Sequence, residues 1–129
     1  MALSLKTAGT WATVTTDAAV TIPGTPAAGD RMYLHAHWKP FGVTVAAISG
    51  WTEITQFTDG SVAGGAGVGS VKVGIWYRDW GSGDGNPTID FSAGVIAGAV
   101  INLWTKGGSD AWATPTFATS AGGAAADPQ

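Results

Sequence analysis

The sequence contains no cysteine, few charged residues and no long uninterrupted apolar segment. Without cysteine, the chain cannot use thiol chemistry, a disulfide framework or a cysteine-bound zinc. Charged residues make up 12% of its 129 residues, against a usual share of about 25%. The longest apolar run, 93–103, is about half as long as a membrane-spanning helix and contains glycines, so no membrane partner is expected.

Positive charge and catalytic residues are also scarce. Six lysines and arginines against nine acidic residues give a net charge of −3 and no basic stripe, so no nucleic-acid partner is expected. Glu53 is the only glutamate. No nucleophile motif is present, and an acid–base pair would require distant Asp and His side chains to meet. We therefore expect a protein that is not an enzyme and that binds no cofactor.

Glycine and tryptophan, by contrast, are abundant, with 20 and seven residues. Apolar residues recur with a period of two rather than 3.6, most cleanly in 31–38 and 71–78, which indicates strands rather than helices. The predicted strands are 18–22, 31–38, 43–48, 51–57, 71–78, 88–92 and 95–104. Seven or eight short strands separated by turn signals are typical of an antiparallel β-sandwich, jelly-roll-like or Ig-like.

The length predicts a single domain over 1–117. The segment 118–129 is rich in alanine and glycine and is predicted to be a tail or an assembly arm. The stretch 59–70 is predicted to be a long glycine-rich loop, and 81–87 a tight polar connection.

Three patterns resemble ligand sites, and each has a plainer explanation. His35 and His37 share one strand face and could chelate a metal, but Arg31 and Lys39 on that face would repel it. The carboxylates and the amide between Asp79 and Asp90 would suit calcium, yet their spacing is not that of an EF-hand and they are ordinary turn residues. Gly65, Gly67 and Gly69 precede a strand rather than a helix, so they predict a loop rather than a phosphate site. We expect no metal.

The tryptophans divide into two groups. We expect Trp11, Trp38, Trp51 and Trp104 to fill the core, because a small chain with few leucines needs large side chains there. Trp76 and Trp80 share a strand face with Arg78 between them, and if exposed they would form a platform for sugar rings or for a protein partner. The candidate contact residues are Tyr33, His35, His37, Trp76, Arg78, Trp80 and Trp112.

Several segments in order resemble a β-sandwich module of tailed-bacteriophage structural proteins. That module has an apolar strand, Gly-Asp with a strand, Gly-Trp-Thr, a Tyr-Arg strand, a Thr-Phe strand and a small-residue apolar strand. The corresponding segments here are Val20–Pro23, Ala28–Leu34, Ser49–Ile54, Val73–Arg78, Thr88–Phe91 and Ala97–Trp104. The resemblance covers roughly residues 18–104. Longer relatives continue with further strands, whereas this chain runs into alanine and glycine.

The resemblance implies a non-enzymatic part of a virion, with no catalytic residues to transfer. We expect a capsid-decorating or head-surface protein that binds itself and other virion proteins, such as major capsid or tail subunits. A minor tail or fibre protein is one alternative. A carbohydrate-binding module that uses Trp76, Trp80 and Tyr33 or the histidine face is another.

Overall fold

The structure, a computed structural model, describes residues 3–15, 17–40, 42–59 and 71–118. These residues form strands and no helix, so they contain no helix that could cross a membrane. The strands are β1 (Leu3–Thr7), β2 (Ala12–Val14), β3 (Ala18–Ala19), β4 (Arg31–Lys39), β5 (Thr52–Asp59), β6 (Val71–Asp79), β7 (Thr88–Ile89) and β8 (Ile96–Lys106).

Six of these strands form one antiparallel sheet in the order β1-β8-β4-β6-β5, and β2 pairs with β8 on the same side as β1. The strands β3 and β7 form a second, two-stranded ladder. The fold is therefore all-β, antiparallel and sandwich-like, as the alternation of apolar residues predicts. The strand β8 is paired along both of its sides, which explains why 95–104 is apolar at successive positions.

The core lies between the large sheet and the smaller layer formed by β3 and β7. The face of the large sheet that is turned toward this layer is called the inner face here. Four side chains of β4 point into it: Met32, Leu34, Ala36 and Trp38, all 0–1% exposed. The smaller layer contributes residues of β7, of the 43–48 segment and of their surroundings. They include Val43, Val45, Ile48, Ile89 and Phe91. Burial of this apolar surface is the main favourable term in folding.

The tryptophan predictions are confirmed in part. Trp38 and Trp51 are buried in the core, at 0% and 9% exposure. Trp104 is half-buried on the opposite face of the sheet, called the outer face here. Trp104 is therefore not part of the core cluster, and the prediction for Trp11 is wrong as well, because its ring is 55% exposed.

The shorter predicted strands are present only in part. The segment 43–48 contributes a single bridge, from Val45 to Phe91, because its apolar residues cap the core rather than extend a ladder. The predicted strands 18–22 and 88–92 shrink to two residues each. The edge strands β1 and β2 were not predicted, since their sequences are short and their position beside β8 depends on long-range pairing.

Candidate contact surface on the outer face of the sheet

The structure separates the predicted contact residues into two groups on opposite faces of the large sheet. Residues opposite each other on paired strands point to the same side. Tyr33, His35 and His37 on β4 lie on the outer face, and Trp112 joins them there. Trp76, Arg78 and Trp80 follow the inner-face alternation of β6. The seven residues therefore do not form one site.

The proposed platform of Trp76 and Trp80 is not available to a ligand. Trp76 is 1% exposed, and its ring lies against the backbone of Gly74. Trp80 is partly buried and packs against the core. Arg78 forms an ion pair with Asp84 and crowds against Gly50. Trp76 and Trp80 pack in or against the core, so the condition for the platform, that both rings are exposed, is not met.

Carboxylate and amide oxygens in the polar loop 81–87 accept hydrogen bonds from other residues of the chain. Asp84 accepts hydrogen bonds from Arg78 and from the Gly81 amide, the latter at 2.7 Å. Asn86 Oδ1 accepts one from the Ile22 amide at 2.9 Å. Within the described ranges, no three His, Asp or Glu side chains come together as a metal site would require. The loop prediction for 59–70 falls almost wholly outside the described residues.

The central rows of the outer face are apolar or neutral. His35 lies between Ile75 of β6 and Val100 of β8, and His37 lies between Val73 and Gly98. On β6 the apolar side chains of Val71, Val73 and Ile75 lie on the outer face. In a strand whose outer side meets only water, polar side chains would lie on that face instead. The outer face thus resembles a second contact face of the sheet.

A stripe of exposed apolar side chains runs along the β8 edge of this face. Leu3 and Leu5 on β1 are 51% and 48% exposed, and Trp11 and Ile96 are each 55% exposed. Leu5 lies directly opposite Trp104 on β8, so Trp104 belongs to the same end of the row as the two leucines. We call Leu3, Leu5, Trp11, Ile96 and Trp104 the apolar stripe. Sequence reasoning missed it because it treated tryptophans as core and did not predict β1.

Trp11 is held in this exposed position by the segment before it. The Gly9 amide donates a hydrogen bond to Asn102 Oδ1 at 3.1 Å. A Cβ at Gly9 would lie 2.0 Å from the Ile101 carbonyl oxygen, so the backbone passes too close to β8 for any other residue. The indole then rests against the imidazole of His37, with 5.0 Å between ring centroids. The aromatic surface of Trp11 is therefore presented in a fixed place.

The segment after β8 folds back over the other end of the outer face. Trp112 Nε1 donates to the Gly29 carbonyl at 2.8 Å, and its ring lies 4.8 Å from the Arg31 guanidinium carbon. Further along, Phe117 stacks on Phe57 of β5 with 5.0 Å between centroids. Trp112 and Phe117 therefore pack on the domain, and most of the tail predicted at 118–129 lies outside the described residues.

Between Trp112 and the apolar stripe lies an open groove of about 330 Å³, lined by Leu3, Tyr33, His35, Trp104 and Trp112. Burial lowers the pKa of His35, because the surrounding apolar side chains disfavour the charged imidazolium. The groove therefore presents aromatic surface and a neutral imidazole near neutral pH. It contains no nucleophile–base pair among these residues.

Two ion pairs near the groove fix the strand ends. Burial alone would lower the pKa of Arg31, but its bonds to Asp79 outweigh this, and the pKa is raised. Burial alone would raise the pKa of Asp30, but hydrogen bonds from Lys6 and from the Ala27 amide leave it lowered. Arg31, expected on the wet face, is only 4% exposed.

Comparison with known proteins gives no family assignment. No protein-family model matches the chain, and neither the curated proteins nor the solved structures contain a significant match.

Proposed function

We propose that this chain is a non-enzymatic structural component of a bacteriophage virion, a capsid-decorating or head-surface protein that binds neighbouring virion subunits. The observation that carries the proposal is the apolar stripe: Leu3, Leu5, Trp11 and Ile96 are each about half exposed on one face of a weakly charged sheet. Clustered exposed apolar residues mark protein contact surfaces. A protein that bridges subunits needs such a surface and no catalytic centre.

The order of the phage-like segments adds to the proposal. Four of them, 28–34, 49–54, 73–78 and 97–104, contribute to β4, β5, β6 and β8 of the large sheet. The same sheet carries the apolar stripe on its outer face. A minor tail or fibre protein would use the surface in the same way, so head and tail partners must be distinguished by binding.

The test is co-sedimentation of the purified chain with the capsids and, separately, with the tails encoded by the same phage genome. We expect the protein to sediment with capsids in a fixed ratio to the major capsid subunit. Leu5→Ser should weaken this binding, whereas Thr114→Ser in the exposed segment after β8 should not. Binding to tails alone would assign the minor tail role, and binding to neither particle would overturn the proposal.

A second candidate, a glycan-binding module, is favoured by the groove that joins Tyr33, His35 and Trp112 to Trp104. Sugar rings stack on aromatic side chains, and a neutral imidazole can both donate and accept a hydrogen bond. Titration with a panel of neutral oligosaccharides, followed by tryptophan fluorescence, tests it. A saturable change that Trp112→Ala abolishes would support it, and a flat response over the panel would remove it.

A further inference from the structure

The segment that follows β8 is attached to the sheet without being part of it. Residues 109–117, called the strap here, run from the end of β8 over the outer face to β5. Among the described residues, no backbone group of the strap forms a hydrogen bond with another backbone group. Pro115 has no amide hydrogen, so it could not donate one in any case. The hydrogen bonds that hold the strap instead involve side chains.

The strap is anchored at two places. Near its start, Trp112 Nε1 donates to the carbonyl just before β4 at 2.8 Å. At the same place, Arg31 Nη1 donates to the Ala113 carbonyl at 2.6 Å. At the far end, the ring of Phe117 stacks on Phe57, with 5.0 Å between the ring centroids. Two hydrogen bonds and a few aromatic contacts therefore fix the strap to the sheet.

The strap buries little surface. Only Trp112 and Pro115 are half-buried, and the other residues of the strap are exposed. None of these described residues belongs to the hydrophobic core cluster. Segments with few buried apolar contacts open at a lower free energy than the core does. We therefore expect the strap to separate from the sheet without unfolding of the core.

Separation of the strap does not leave the cation of Arg31 without a partner. Its side chain is only 4% exposed, and a buried charge that loses its partner is costly. However, Nε and Nη2 bind the carboxylate of Asp79 on β6, at 2.5 and 3.0 Å. When the strap leaves, only Nη1 loses its acceptor, and water reaches that nitrogen. The strands β4 and β6 therefore stay linked.

A glycine precedes the strap and provides a hinge. Gly108 has a φ of +80°, in the left-handed region that favours glycine. A Cβ at Gly108 would meet no heavy atom of another described residue within 4 Å, so the backbone has space around it. The chain can change direction there without moving β8, which ends at Lys106.

We propose that the strap is a releasable cover: it detaches from the outer face as one unit, turning about Gly108, while the sheet stays folded. Detachment removes the Trp112 wall of the groove and uncovers Tyr33 and Arg31. Access to this part of the outer face is then set by the balance between the attached and the detached strap. The inference goes beyond the proposed function, because it holds for a virion subunit and for a glycan as the bound partner.

Limited proteolysis of the full chain with chymotrypsin tests the inference. This protease cleaves after aromatic residues and needs an extended, detached segment, so the cleavage rate reports the open population. We expect cleavage after Trp112 to be at least about 100-fold faster than cleavage after buried Trp76, which requires unfolding of the sheet. Below the unfolding transition, the Trp112 rate should change little with urea, because detachment exposes little surface. Equal rates with the same urea dependence would overturn the inference.

The variant Phe117→Ser removes the stacking contact with Phe57 at the far end of the strap. It should raise the rate of cleavage after Trp112 about tenfold and leave the rate after Trp76 unchanged. Thr116→Ser, a change at the neighbouring exposed position, is the matched control and should alter neither rate. The inference fails if Phe117→Ser is cleaved no faster than Thr116→Ser, or if cleavage after Trp76 rises by the same factor.

Tyrosine acetylation measures the second half of the proposal, access to the outer face. Tyr33 and Tyr77 are the only tyrosines of the sequence, and both lie on this face. Tyr33 lines the groove beside Trp112. N-acetylimidazole, which acetylates accessible phenol groups, should therefore modify Tyr33 several times faster in Phe117→Ser than in the unmodified chain. An unchanged rate together with faster cleavage after Trp112 would show that the strap does not cover this surface, and would overturn its role as a cover.

Discussion

Arg31 on β4 binds both carboxylate oxygens of Asp79, its opposite residue on β6. Nε lies 2.5 Å from Oδ1, and Nη2 lies 3.0 Å from Oδ2. The remaining nitrogen, Nη1, donates to the Ala113 carbonyl at 2.6 Å. The rings of Tyr77 and Trp112 lie 4.6 and 4.8 Å from the guanidinium carbon. One side chain thus links two strands of the sheet to the segment that follows β8.

Asp79→Asn should destabilise the protein by about 2 kcal/mol. Without the carboxylate, the nearly buried guanidinium of Arg31 keeps only some of its hydrogen-bond partners. Breaking a fully buried ion pair costs about 3–5 kcal/mol of stability. The smaller value is expected because the Asp79 side chain is 52% exposed and water replaces some of the lost contact. Urea unfolding measures the change. Asp110→Asn, at an exposed carboxylate, is the control and should stay within about 0.5 kcal/mol of wild type.

Gly74→Ala should cost about 3 kcal/mol, because two buried rings leave no room for a methyl group. A Cβ there would lie 2.2 Å from Cη2 of Trp76 and 3.1 Å from Cζ3 of Trp38. Both rings are at most 1% exposed and cannot move aside. Thermal unfolding should show a clear fall in Tm. Gly85→Ala is the matched control, since no heavy atom lies within 4 Å of its Cβ position. Equal Tm values for the two variants would contradict this packing.

Trp38→Phe should destabilise the protein by about 1–2 kcal/mol more than Trp76→Phe. Both indoles are buried, but Trp38 Nε1 donates to the Val43 carbonyl at 2.8 Å. Trp76 Nε1 has no hydrogen-bond partner among the described residues. The first substitution leaves a carbonyl unsatisfied, whereas the second removes an unsatisfied donor. Parallel urea titrations give the difference, and a larger loss for Trp76→Phe would refute the assignment.

Stability should fall as the pH drops below about 6.5, and His35 should account for part of that fall. Burial lowers the pKa of His35 in the folded state, so below about 6.5 the unfolded chain binds the proton first. The loss levels off once the pH passes below the folded-state pKa. The pH dependence of the free energy of unfolding measures it. In His35→Gln this slope should be smaller, and an unchanged slope would show that other groups cause it.

A second loss of stability is expected at more acidic pH and from a different residue. The pKa of Asp30 is lowered in the folded state, so its contribution is present above about pH 4 and disappears as the pH falls further. The Asp30→Asn variant should be less stable than the wild-type protein at pH 7. Its free energy of unfolding should also depend less on pH below pH 4. The slope between pH 5 and 6.5 should not change in this variant, which separates it from His35.

The sequence alone determined the fold class and the longest strands. Period-two alternation in 31–38, 71–78 and 95–104 is a local property, because each side chain of a strand faces opposite to its neighbour. These segments became β4, β6 and β8 with bounds shifted by at most two residues. The short strands were less well predicted, since pairing with distant partners decides where they begin and end.

Only the tertiary structure decided which aromatic side chains are available to a partner. Trp76 and Trp11 are equally apolar, yet one is 1% exposed and the other 55%. Trp76 lies on the inner face of β6 because the register with β4 places it beside Leu34. Trp11 is exposed because Gly9 and Asn102 tie its loop to the outer side of β8. Both placements depend on contacts between residues far apart in the chain, which composition and periodicity do not specify.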